Sequence, residues 1–193
     1  PLWVAAAAAG APVQGWLSVR SFYGRPAYHA TAEVGVYVAP EAQRQGAAGA
    51  DATLASSTGD VALLGTVDST GGAHALTVNA STSGGKANFG GTVGTNSPLS
   101  DLNVTAALIT LRSVTSTGNQ TYTGSTTLAD PIVNLTADAV DGGGNITFTG
   151  NVNGATLNTT DFTLNAGTGA IAFGGNVGGS TALRSLLANA TTA

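Results

Sequence analysis

Phe148-Thr-Gly-Asn-Val152 and Phe173-Gly-Gly-Asn-Val177 state one pattern twice: a large apolar residue, a glycine, a polar residue, then a β-branched residue. Working outward, the same pattern occurs at Leu63-Leu-Gly-Thr-Val67, Phe89-Gly-Gly-Thr-Val93 and Tyr122-Thr-Gly-Ser-Thr126. A second signature, ending in Ala, alternates with it: Leu76-Thr-Val-Asn-Ala80, Leu102-Asn-Val-Thr-Ala106, Val133-Asn-Leu-Thr-Ala137, Phe162-Thr-Leu-Asn-Ala166 and Leu186-Leu-Ala-Asn-Ala190. Each signature is present five times, and the lead positions of the first step by 26, 33, 26 and 25 residues. A longer duplication lies over this repeat, with 60–106 resembling 145–190 at a shift of 84 to 86. Internal periodicity of this length is the mark of stacked-repeat architectures.

Within each signature the apolar residues alternate with Thr, Asn or Ser, as at Leu76, Val78 and Ala80. A period of two with β-branched residues predicts a strand with one buried face. Glycine-rich turns separate the strands, as in Asp141-Gly-Gly-Gly-Asn145. A two-strand unit of about 26 residues cannot bury its apolar face alone, whereas stacked units can, each pairing with the next at about 4.8 Å. The expected fold is therefore all-β: a β-solenoid of about five coils and roughly 24 Å in length, with Leu, Val, Phe and Ile inward and like residues in columns. Phe89, Phe148 and Phe173 are expected on stacked rungs. The alternative is a pair of Ig-like β-sandwich repeats, since the long duplication is near one sandwich in length; recurrence of the same two signatures five times favours the solenoid.

Composition divides the chain near residue 50. Both tryptophans, three of four tyrosines, four of six prolines and both glutamates precede that point. Beyond it Gly, Thr, Asn and Asp dominate, with Lys86, Arg112 and Arg184 as the cations against eight aspartates. The expected organisation is a distinct segment at 1–50, a linker at 51–59 and the repeat region at 60–193. A net charge of −4 argues against nucleic acid or an anionic membrane surface as partner, because either requires a basic face. No apolar run approaches the roughly 18 residues of a membrane span, and the alanines at 5–9 lack the flanks of a signal peptide. Absence of Cys excludes disulfides, thiolate metal sites and a cysteine nucleophile. The chain also contains no Met and is expected to be a fragment of a longer one.

The run from Gly59 to Ala193 resembles the repeat regions of filamentous-haemagglutinin-type exoproteins and autotransporter adhesins. The resemblance rests on Phe148-Thr-Gly-Asn-Val-Asn-Gly154, Leu164-Asn-Ala-Gly-Thr-Gly169, Ile171-Ala-Phe-Gly-Gly-Asn-Val-Gly-Gly179 and Thr117-Gly-Asn-Gln-Thr-Tyr-Thr-Gly124. It implies a right-handed β-helical stalk of a large secreted protein at the bacterial cell surface. Its partners would be neighbouring repeats and a host or cell-surface ligand, with no catalysis and no cofactor.

The first part is similar to something else. Gly15-Trp-Leu-Ser-Val-Arg-Ser-Phe-Tyr-Gly-Arg-Pro-Ala-Tyr28 and Thr31-Ala-Glu-Val-Gly-Val-Tyr-Val-Ala-Pro-Glu-Ala-Gln-Arg-Gln-Gly46 resemble the phosphinothricin-type branch of the GNAT N-acetyltransferases over about 1–48. The resemblance implies acetyl-CoA as cofactor and a small amine as acceptor. Glu33 would be the general base. The strand carrying Val36 and Val38 would lend backbone groups to pantetheine, and Gln43, Arg44, Gly46 and Ala48 would form the pyrophosphate-binding turn, where small residues let N–H groups reach the phosphates. The family continues into an amphipathic helix at this point; here 49–58 carries no apolar stripe of helical period. An alternative role for the first fifty residues is a hairpin cap over the first coil, covering it with Trp3, Trp16 and Tyr37.

Other constellations have plainer readings. His29 and His74 lack a second histidine or a carboxylate at ligand spacing and read as surface or loop residues. Asp138, Asp141 and Asn145 could offer oxygens to Ca²⁺, but a plain turn accounts for them. Asn-x-Thr/Ser at Asn79, Asn103, Asn134, Asn145, Asn158 and Asn189 mostly coincides with the strand pattern and reads as outward-facing Asn and Thr. The glycine pairs at 90–91, 174–175 and 178–179 are expected bends between strands.

Overall fold

The computed structural model describes residues 2–6, 13–21, 32–38, 50–56, 59–81, 84–137 and 142–191. The chain divides into two compact units, 1–47 and 48–193. The first contains three antiparallel strands in the order β1 (Leu2–Ala6), β2 (Val13–Ser21), β3 (Ala32–Val38). β1 and β2 pair with Trp3 opposite Leu17, and their register shifts between Ala5 and Ala6. β2 and β3 pair without interruption from Gly15–Val38 to Ser21–Ala32.

The second unit is a parallel β-solenoid. Its strands are β4 (Ala52–Ala55), β5 (Val61–Leu63), β6 (Leu76–Ala80), β7 (Lys86–Phe89), β8 (Leu102–Leu111), β9 (Val114–Thr115), β10 (Gln120–Leu128), β11 (Ile132–Thr136), β12 (Ile146–Phe148), β13 (Val152–Gly154), β14 (Asp161–Asn165), β15 (Ile171–Phe173) and β16 (Ser185–Asn189). Each coil contributes to three faces. On the first, β4, β6, the start of β8, the start of β10, β12 and β15 stack in parallel. On the second, β5, β7, the ends of β8 and β10, β13 and the bridge residue Val177 follow one another. On the third, Val67, Val93, β9, β11, β14 and β16 do so. Along the first face the paired residues Ala52, Leu76, Leu102, Gln120, Ile146 and Ile171 give coils of 24, 26, 18, 26 and 25 residues. No α-helix is present among the described residues.

Strand alternation builds this interior. In β6 and the first half of β8 every second residue is buried: Leu76, Val78 and Ala80, then Leu102, Val104 and Ala106. Pairing in register places Leu76 against Leu102 and Val78 against Val104, so each apolar residue meets its own kind from the next coil. The column then becomes aromatic. Tyr122 and Phe148 stack at 4.8 Å, Phe148 and Phe173 at 5.4 Å, and Phe162 meets Phe148 edge-on at 6.1 Å. Each fully buried side chain of this kind contributes about 1.5–3 kcal/mol, and offset ring pairs add about 0.5–1.5 kcal/mol.

Three expectations need correction. A coil has three strand segments, not two; the third face arises because the chain after each glycine bend runs on into a further short strand or bridge. Phe148 and Phe173 do occupy stacked rungs, but Phe89 does not share their column. It lies on the second face, where Leu63 is its partner. The cause is the 18-residue coil, in which β8 runs from the first face to the second as one strand of 10 residues. The two signatures exchange places across it. Leu76 and Leu102 head strands on the first face, whereas Val133, Phe162 and Leu186 lie on the third. Finally, residues 52–55, expected in a linker, form β4 and supply the first rung.

Backbone approach fixes the turns. Glycines stack in columns, including Gly124, Gly150 and Gly175 between the first and second faces; a Cβ on Gly175 would lie 2.6 Å from the carbonyl carbon and oxygen of Gly150. Gly124 also has a φ of 130°, a region closed to other residues. A ladder of Asp and Asn runs beside the first face. The Oδ1 atoms of Asp51, Asp101, Asn119 and Asn145 accept from the backbone N–H of Ala75, Asn119, Asn145 and Ala170 in the next coil, at 2.9, 2.8, 3.0 and 2.8 Å. A shorter ladder beside the second face uses Asp60 with Lys86 and Asn151 with Asn176. These bonds pair the turn amides that strand ladders leave over.

Candidate interaction face

Alternation that sends Leu, Val and Phe inward sends their neighbours to the outside of the first face. The outward residues form two columns, one of Thr53, Thr77, Asn103, Thr121, Thr147 and Ala172, the other of Ala55, Asn79, Thr105 and Thr123. Thr149 follows Thr123, its N–H donating to Tyr122 O at 3.0 Å. Rungs repeat at about 4.8 Å, and the two columns stand about 6.6 Å apart, two residues at a rise of about 3.3 Å. The array carries no charged and no aromatic side chain. Among the described residues the hydroxyls of Thr53, Thr77, Thr105, Thr121, Thr123 and Thr147 make no side-chain hydrogen bond. Such a surface can donate to and accept from an uncharged, hydroxyl-bearing ligand; it has no group suited to proton transfer or nucleophilic attack.

Charge is confined elsewhere. Arg112 pairs with Asp130, and Arg184 pairs with Asp161 next to Ser185 Oγ, which donates to Asp161 Oδ1 at 2.7 Å. The Arg184 guanidinium and the Ser185 hydroxyl lower the Asp161 carboxyl from 3.8 to about 2. A cavity of about 430 Å³ lies along the last rungs of the third face, lined by Asn165, Gly167, Ala188, Asn189, Ala190 and Thr191. Its polar groups are amides and hydroxyls, with Asn189 Nδ2 donating to Asn165 Oδ1 at 2.7 Å.

Of the residues implied by the acetyltransferase resemblance, Glu33, Val36 and Val38 lie on β3, their partners on β2 being Arg20, Leu17 and Gly15. Gln43, Arg44, Gly46 and Ala48 lie outside the described residues, as do His29, Asp138 and Asp141. His74 donates its backbone N–H to Ser69 Oγ at 2.9 Å. Asn145 belongs to the ladder of side-chain amides. No cluster of three His, Asp or Glu residues able to hold a metal ion occurs among the described residues. Asn79, Asn103 and Asn134 are exposed strand residues, whereas Asn158 sits in a turn with a φ of 54°.

Sequence reasoning missed the ladders and the polar interior beside Gln120. The ladders had a signal: Asp or Asn stands immediately before the strand at positions 51, 60, 101, 119, 145 and 151. No described helix is long and apolar enough to cross a membrane. No family model, no curated protein and no solved structure matches the chain.

Proposed function

We propose that the chain is a structural and adhesive repeat module of a large secreted bacterial surface protein of the filamentous-haemagglutinin or autotransporter kind. The solenoid would act as a rigid spacer, right-handed like other parallel crossovers, and the Thr/Asn array of the first face would contact an uncharged glycan-like ligand at the host or cell surface. One observation carries this reading: a regular, uncharged two-column array of hydroxyls and amides, its threonine hydroxyls without side-chain hydrogen bonds among the described residues, held at fixed spacing by stacked coils. A rigid array loses little entropy on binding, and many weak contacts then add along it. The test is retention of the purified chain on a panel of neutral glycans and on intact cells, beside Thr121→Lys/Thr147→Lys. The reading predicts binding that the double substitution weakens at least about tenfold with the circular dichroism unchanged, because burying an unpaired charge costs more than a lost neutral bond. No retention by the unaltered chain would refute it.

A second reading applies to residues 1–48 alone. The uninterrupted β2–β3 pairing supports a fragment of acetyltransferase sheet, with Glu33 opposite Arg20 and the backbone of β3 available to pantetheine. Calorimetry of the full chain with acetyl-CoA tests it; no heat at millimolar ligand would exclude it.

A further inference from the structure

The first face carries a rectangle of threonines. Thr121 and Thr123 stand side by side on one rung, Thr147 and Thr149 on the next, so the four mark corners about 4.8 Å apart along the axis and about 6.6 Å apart across it. Thr105 extends one column by a further rung; Thr77 and Thr53 stand in the other, with Asn103 between them and Thr121. Both borders of the rectangle are neutral. On one side Gly124 and Gly150 turn the corner, with no side chain standing above the face. On the other lie Asn119 and Asn145, whose Oδ1 atoms are held by backbone amides of the next coil. Carboxylates enter that border only in earlier coils, at Asp51 and Asp101. The other faces offer no such patch among the described residues. The second presents one outward column, Asn88, Thr110, Thr127 and Asn153, and the third is broken by exposed Ile132 and Leu187.

Threonine is suited to holding water in a fixed lattice. Its hydroxyl both donates and accepts, its methyl keeps water from the space beside it, and branching at Cβ leaves few χ1 rotamers. The four hydroxyls of the rectangle make no side-chain hydrogen bond among the described residues, so their full capacity faces solvent. Their positions are set by the ladder that pairs Thr121 with Asn103 on one side and with Thr147 on the other. Water on this surface is therefore ordered at the spacing of the protein. A charge would draw water radially around itself and break that order, and the rectangle has none. The rung spacing lies close to the shortest lattice translation of hexagonal ice, and the column spacing near the longer translation of its prism plane. The geometry points to a second activity for this face: adsorption to ice, with the water held by Thr121, Thr123, Thr147 and Thr149 continuing into the crystal plane. A sugar requires no such match in two dimensions, so the inference does not rest on the glycan reading. Because the complete rectangle covers two rungs, its effect is to slow recrystallisation, with little depression of the freezing point.

The test grows a shell of ice slowly from a solution of the full chain and measures the fraction taken into the ice, beside the growth of ice grains in a thin frozen film. Two variants separate the faces. Thr123→Tyr/Thr149→Tyr raises bulky rings from the rectangle without adding charge, and Thr110→Tyr/Thr127→Tyr does the same on the second face. The unaltered chain is expected in the ice well above a non-adsorbing globular control and is expected to hold grains small. The first-face pair should lower both effects at least about tenfold, since many weak contacts act together, while the second-face pair leaves them unchanged. Should the rings alter the circular dichroism of the first-face variant, Thr123→Lys/Thr149→Lys places a charge at the same positions and is expected to give the same loss. Exclusion of the unaltered chain from ice overturns the inference, as does equal loss in the variants of both faces. Retention on neutral glycans without adsorption to ice overturns this inference alone; adsorption without retention upholds it and overturns the glycan reading.

Discussion

Removing Phe148 and Phe173 together should cost measurably less than the sum of removing each, whereas Phe148 and Phe89 should act independently. Phe148 is fully buried and touches three rings: Tyr122 and Phe173 face to face, Phe162 at the edge. Phe148→Ala should therefore cost about 3–5 kcal/mol, toward the upper end because three ring contacts are lost with the cavity. Phe173 sits on the last rung and is only partly covered, so Phe173→Ala should cost about 1–2 kcal/mol. The stacked pair should show a coupling of about 0.5–1.5 kcal/mol. Phe89 is as deeply buried as Phe148 and should also cost about 3–5 kcal/mol alone, toward the lower end because no ring contact is lost with it; it belongs to the second face and makes no ring contact with Phe148. Its coupling to Phe148 should stay within about 0.5 kcal/mol. Urea unfolding of the unaltered chain and of the two single variants and the double variant of each pair, followed by circular dichroism, measures both couplings. A Phe89–Phe148 coupling as large as that of Phe148–Phe173 would refute the assignment of columns.

Other consequences follow from the turns and the surface. Gly175→Ala should destabilise by about 1–3 kcal/mol because its methyl would meet the Gly150 carbonyl at 2.6 Å, while Gly65→Ala, with open space around it, should be close to neutral; thermal melts compare them. Asn145→Ala removes the acceptor for the Ala170 N–H and should lower stability by about 1 kcal/mol, with faster amide exchange at Ala170. Asp161 is held near 2 in the folded chain against 3.8 for a free carboxyl, so its contribution is complete above about pH 4 and is lost as pH falls through about 2. A melting-temperature profile should show that acid loss reduced in Asp161→Asn and by added salt; an unchanged profile would contradict the Arg184–Asp161–Ser185 arrangement.

The strands and bends of the solenoid were readable because they rest on local rules. Val78 between Thr77 and Asn79 declares its face, and Gly90 with Gly91 follows β7 as a bend. The columns were less readable, since they depend on how many residues each coil takes. The step of 33 from Phe89 to Tyr122 was the trace of the short coil, but a step in sequence does not say which face absorbs it. Gln120 illustrates the same limit. As an isolated letter it marks an outward position; inside the solenoid its amide is met by near neighbours at 116 and 122 and, around the same coil, by the carbonyl of Thr136. The outer array was visible as alternating Thr and Asn; that Thr121 and Thr147 are neighbours across coils required the register.

The central claim is that successive coils lie in parallel register, and spin labelling addresses it most directly because the chain contains no native Cys. Paired nitroxides at outward sites on adjacent rungs, Asn103 with Thr121, Thr121 with Thr147, and Thr147 with Ala172, should each show strong dipolar broadening from backbones about 4.8 Å apart. Narrow spectra from all three pairs would mean that these coils do not stack.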